Sequence, residues 1–163
     1  MKAKEESPAR QLDLFLAKFE PRARSLIKAA RGVLRRRWPG ANELVWDNYN
    51  FFVIGYCTTE RPSSAIVTIA AAANGVGISF YRGASLPDPK RILLGSGAQN
   101  RFIRLESVAT LARPEVRALL DAAARQERPP FAQARGKLII RSISAKQRPR
   151  RKTAAKKERA SRG

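Results

Sequence analysis

The chain has no histidine at all, a single cysteine and a single methionine, and only 13 acidic residues against 33 basic ones in 163. Without histidine it lacks the usual general base near neutral pH and the commonest metal ligand. One cysteine excludes an internal disulfide and any multi-cysteine metal cluster. Cys57 falls in an apolar, strand-like run, where a buried inert thiol is expected and not a nucleophile. No apolar run approaches the about 18 residues needed to cross a bilayer. Met1–Gln11 is charged and lacks the apolar centre of a signal peptide. These shortages argue against an enzyme, because no base, nucleophile or metal constellation is visible. The expectation is a cytoplasmic bacterial-type protein that needs no cofactor.

What the chain does have is positive charge, +20 in total. Such an excess attracts polyanions. Residues 146–163 alone hold nine Lys/Arg and one acid, Glu158. That stretch is nearly devoid of apolar residues and is expected to be a disordered basic tail. Residues 7–145 are expected to form one domain, and the 44% apolar content suits a globular core.

Ser7-Pro8 is a helix start, with a capping hydroxyl followed by proline in the first turn. Leu12, Phe15, Leu16 and Phe19 then form an apolar stripe. Glu20-Pro21 ends that helix and opens another, whose buried face is Leu26, Ile27, Ala30, Val33 and Leu34 and which Trp38-Pro39-Gly40 closes. From Asn42 the period becomes that of strands: Glu43–Asp47, Tyr49–Thr58, Ser64–Ala73 and Val76–Arg82, with Asn74-Gly75 as a hairpin signal. Tyr49–Tyr56 is apolar on both faces, which predicts a central strand covered on both sides. Asp88-Pro89 predicts a short helical turn through Leu94, and Gly83 an exit from the sheet in a conformation other residues resist. Arg101–Leu105 reads as a strand, Pro114 to about Gln126 as a helix, and Lys137–Ile143 as a final strand. The fold class is α+β: two N-terminal helices against a mainly antiparallel sheet, with a further helix near the C-terminus.

Two glycine pairs, Gly75-x-Gly77 and Gly95-x-Gly97, lack the strand-to-helix context of a phosphate loop and are read as turns. Aromatic and polar groups gather in Trp46-Asp47-Asn48-Tyr49 and Tyr81-Arg82, with Arg101 and Arg104 downstream. If those strand ends converge, they make a cleft with aromatic walls and guanidinium groups for an anion. Arg82 or Arg104 pairing with Asp47 in a structural network is the alternative. On the second helix Arg24, Lys28, Arg31 and Arg35 recur as a basic stripe. With Arg150, Arg151, Lys152, Lys156 and Lys157 of the tail it is a candidate polyanion surface.

Phe80–Leu105 (F-Y-R-G-A-S-L-P-D-P-K-R-I-L-L-G-S-G-A-Q-N-R-F-I-R-L) resembles the signature of the YdhG-like domain family. Glu43–Asn50 (E-L-V-W-D-N-Y-N), Thr59–Pro62 and Lys137–Arg151 resemble it too. The family's function is mostly unknown, and at least one member is regarded as a frataxin-like intracellular iron chaperone. Similar sequences read R-H-I-R-L where this chain has Arg101-Phe102-Ile103-Arg104-Leu105, so Phe102 replaces a histidine. Three functions therefore stand open. One is a non-catalytic binding module for a small anion or a protein partner. The others are a nonspecific nucleic-acid-associated protein acting through helix and tail, and iron handling as the resemblance implies. No membrane partner is expected.

Overall fold

The computed structural model describes residues 6–126 and 128–152. Helix α1 (Pro8–Leu16) starts as its sequence predicts: the Ser7 hydroxyl accepts from the Arg10 amide at 3.2 Å, and Pro8 fills the first turn. Helix α2 (Pro21–Arg37) follows the Glu20-Pro21 break and places Arg35, Arg36 and Arg37 in its last turn, where the helix dipole favours cations. The chain then runs through β1 (Asn42–Asp47), β2 (Phe52–Cys57), β3 (Ala65–Ala72), β4 (Gly75–Phe80) and β5 (Arg101–Leu105). Helix α3 (Pro114–Arg125) and strand β6 (Leu138–Ile143) complete it.

The sheet order is β5-β4-β3-β2-β1-β6. The first five strands form an antiparallel meander, and β6 joins β1 in parallel at the far edge. Because β5 and β6 occupy opposite edges, the connection through α3 must traverse the sheet. Asn74-Gly75 turns β3 into β4 with Gly75 at φ +143°, a conformation open to glycine at little cost.

Side chains alternate between two faces, and the two faces differ. The inner face carries Val45, Ile54, Ile69, Ile78 and Ile103, which join Leu12 and Phe15 of α1, Ile27 and Leu34 of α2, and Leu119 and Leu120 of α3 in one core. Phe52 meets Phe15 and Phe19 with ring centroids 6.2 and 5.9 Å apart. On the outer face a small cluster of Leu44, Cys57 and Ala65 lies with Trp46 and Ile139. Beyond it, Val53, Thr68, Ala70, Gly77 and Ser79 remain partly open to solvent.

Four local expectations are corrected. Tyr49–Phe51 belongs to a turn, not to β2, and exposes Tyr49 and Phe51. β2 is central but not covered on both sides, since no layer of described residues lies over Val53. Asp88 starts no helix: its carboxylate accepts from the amides of Ile92 and Leu93, each at 3.0 Å, which folds the loop back so that Leu94 pairs with Phe102. Gly83 matters through close approach and not through φ, because an added Cβ would stand 2.5 Å from Arg101 Cβ.

Two buried acids are held neutral by the fold. Burial pushes the Cys57 thiol up to about 11, against smaller opposing effects of Ser64 and Arg128. Burial, and then the nearby Glu43 carboxylate, push the Tyr56 phenol well above its ordinary value. In the unfolded chain both ionise at lower pH, so their contribution is complete below the unfolded values and is lost as pH rises through the folded ones. We expect the melting temperature to fall between about pH 9 and 11, and Cys57→Ala to make that fall shallower. A melting temperature constant across this range, measured by circular dichroism, would contradict the assignment.

Candidate functional site

The eight residues expected to form a cleft do not share one. Trp46 and Asp47 sit on β1 and point to opposite faces, whereas Arg101 and Arg104 sit on β5, four strand spacings away, or about 19 Å. Tyr81 and Arg82 follow Phe80, whose row in the sheet is that of Glu43 and Tyr56, at the end opposite Asp47. Several make local contacts instead. The Asn48 side-chain oxygen accepts from Ser142 Oγ at 2.8 Å, the Arg82 carbonyl accepts from Gln126 Nε2 at 3.1 Å, and Arg101 Nη1 donates to the Asn100 carbonyl at 2.8 Å.

Asp47 is fully buried, and its carboxylate is paired with two cations. One oxygen accepts from Lys18 Nζ, just beyond α1; the other accepts from Arg150 Nη2 at 2.9 Å. Gln147 closes the group, donating to the Asp47 carbonyl at 2.8 Å and accepting from Lys18 at 2.7 Å. Arg150 also donates to the Asn48 carbonyl at 2.5 Å and is itself buried. This corrects the expected tail boundary. Residues 146–151 are pinned beneath the sheet end, and Arg150 is a structural cation, not a free polyanion contact. Arg151 Nε donates to the Lys18 carbonyl at 3.2 Å. Lys152 is exposed, and Lys156 and Lys157 lie outside the described residues.

The basic stripe of α2 is likewise largely spent. Arg31 grips Glu43 with two hydrogen bonds of 2.9 and 3.0 Å, Arg35 adds an ion pair at 3.5 Å, and Tyr56 donates to the same carboxylate at 2.9 Å. Burial lowers the Arg31 pKa, but Glu43 outweighs that and leaves it raised. Arg24 Nη2 donates to the Phe19 carbonyl at 3.1 Å, and of the four stripe residues Lys28 alone is well exposed. Glu43 and Asp47, four residues apart on one strand face, thus clamp α2, the end of α1 and the C-terminal segment to the sheet.

The concavity that the sequence did not reveal is on the outer face. There Thr68, Ala70, Gly77 and Ser79 make a shallow floor, Phe51 stands at one side, and Phe102 with Arg104 at the other. Its volume is about 430 Å³, within the range of small-molecule sites. The Arg104 guanidinium lies 5.9 Å from the Phe102 ring, and it takes part in none of the ion pairs among the described residues. The signal for this floor was present: in β3 and β4 the small or polar residues alternate with Val67, Ile69, Ile78 and Phe80. Only the strand order shows that these small residues lie side by side.

No three Cys, Asp or Glu side chains come together among the described residues, and no helix there is long and apolar enough to cross a membrane. Comparisons with protein-family models, with curated proteins and with solved structures give no match.

Removing the Asp47 carboxylate would leave Arg150 buried without its counter-charge. Asp47→Ala is therefore expected to cost about 3–5 kcal/mol in urea denaturation. A chain ending at Ala145 should lose a similar amount, and the two changes together little more than the larger one alone. Additive losses would show that Asp47 and the C-terminal segment act independently.

Proposed function

We propose that this is a non-catalytic binding module whose ligand is anionic and lies in the outer-face groove. The observation that carries the reading is the Arg104 guanidinium, in no ion pair among the described residues, beside an open floor of small side chains, in a protein where Arg31, Arg35 and Arg150 are bound to carboxylates and Arg24 and Arg128 to backbone carbonyls. A guanidinium with no internal partner, set against an aromatic ring, is a ready donor for a carboxylate or phosphate. The floor admits a flat group because no large side chain rises from it.

Several features support a binding rather than a catalytic role. The chain has no histidine. Cys57 is buried, with its thiol raised to about 11. Glu43 and Asp47 face away from the groove and are committed to ion pairs. The groove thus holds an anion-recognising group and aromatic walls, and its lining has no base to activate the Thr68 or Ser79 hydroxyl. Membership of the YdhG-like family and a cytoplasmic location belong to the same proposal. Phe102, at the position where similar sequences carry histidine, lines the groove, so the departure from the family pattern falls in the proposed binding surface.

Native mass spectrometry of the protein purified in high salt tests the reading. The expected result is a discrete bound mass that Ala70→Phe, which fills the floor without touching the inner core, removes while the melting temperature stays within a few degrees. A bound mass retained by both Ala70→Phe and Arg104→Ala would place the ligand elsewhere.

A further inference from the structure

The outer-face groove does not end at Phe51. A second basin of about 410 Å³ begins there, shares Phe51 and Asn74 with the first, and runs along the C-terminal segment past Arg148, Arg151 and Lys152. Together the two basins run from β5 across β4 and β3 to β2 and the turn before it, three strand spacings or about 14 Å, and then on along the C-terminal segment. None of the residues lining either one is acidic, whereas four are Arg or Lys.

Aromatic rings are spaced along the same path. Phe102 stands at one end, Phe51 is 50% exposed at the junction, and Tyr49, 42% exposed, lies 5.6 Å from the Arg148 guanidinium at the other. Single exposed rings are ordinary on a protein surface, so what matters here is that these lie along one path with cations. Two of the rings have a cation close by, Arg104 at Phe102 and Arg148 at Tyr49, and Phe51 lines the same basin as Arg148, Arg151 and Lys152. Rings that can stack on flat bases, alternating with cations that can meet phosphates, are the two elements of single-strand recognition. A sheet face presenting them is a known way of reading unpaired bases.

We propose that the occupant of this continuous groove is single-stranded nucleic acid, bound by stacking on Phe102 and Phe51 and by phosphate contacts to Arg104, Arg148 and Lys152. The inference rests on the anion-binding reading of the groove and names its ligand class. With its run past Arg148 and Lys152 the path approaches the about four nucleotides of the shortest single-domain sites. A duplex fits poorly, because its bases are stacked on each other and cannot lie on the rings.

Fluorescence anisotropy of the full chain tests this, with labelled oligothymidylate of about 12 nucleotides and a duplex of equal length as probes. The expected result is tighter binding of the single strand, weakened roughly tenfold by Phe102→Ala and by Phe51→Ala. Arg148→Ala should lessen the slope of log affinity against log salt by about 0.7. Phe51 is half exposed, so its replacement keeps the test valid should Phe102→Ala lower the melting temperature. Binding that ignores both phenylalanines, or that is equal for duplex, reflects general charge attraction and overturns the inference. A bound small mass lost in Ala70→Phe, with no oligonucleotide binding, overturns it too and leaves the small-anion reading standing. Absence of both removes the inference and the reading together.

Discussion

A carboxylate with no access to water sets the terms for this fold. Asp47 on β1 is buried together with the guanidinium of Arg150, and it draws Lys18 to its other oxygen. An ion pair in such a place adds little net stability over an apolar substitute, but the loss of one member leaves a charge that the interior cannot solvate. The consequence is specification more than strength. The segment after β6 must return beneath the sheet end, and the chain between α1 and α2 must bring Lys18 to the same point. Glu43 imposes the same demand at the other end of the strand face, where Arg31, Arg35 and Tyr56 meet it. β1 is thus a short strand with an apolar centre and two charged clamps, and three separate parts of the chain are positioned by it.

That arrangement sorts the arginines into two populations. On the inner side they are partnered with carboxylates or with backbone carbonyls: Arg128, for instance, donates to the Ala65 carbonyl at 3.0 and 2.8 Å, and burial lowers its pKa. On the outer side Arg104 and Arg148 rest against aromatic rings and take part in no ion pair among the described residues. The total charge is therefore a poor guide to where an anion would bind. The helices, which hold the most regular basic pattern in the sequence, are where the charge is largely neutralised internally.

Local signals made the fold largely legible. Ser7-Pro8, Pro21 and Pro114 mark true helix starts, and Asn74-Gly75 marks a true hairpin, because capping and turn chemistry act over a few residues. Asp88 shows the limit of that logic: it does accept backbone hydrogen bonds, yet from amides four and five residues on, so a turn forms in place of a helix. The site was less legible because it depends on strand order. Asp47 and Arg104 look like neighbours when the strands carrying them are assumed to converge, but the meander sets them four strands apart. Arg31 reads as surface charge until the strand bearing Glu43 is placed beside α2. Arg150 reads as part of a solvated tail because its sole carboxylate partner is 103 residues away. The groove was hidden in the opposite way. Ala70, Gly77 and Ser79 carry no chemistry of their own and gain meaning only by adjacency.

The span between Asp47 and Arg150 also orders events during synthesis. At about 5–20 residues per second, the counter-ion of Asp47 is made roughly 5–20 s after Asp47 itself. The helices and the meander can assemble in that interval, with the carboxylate still hydrated and the β1 edge still lacking its parallel neighbour. Until the segment after β6 arrives, the chain carries an open strand edge next to an acid that has only Lys18 as its counter-charge. Closing of the sheet edge and full pairing of the buried acid are thereby coupled into one late event, because a single segment brings both β6 and Arg150.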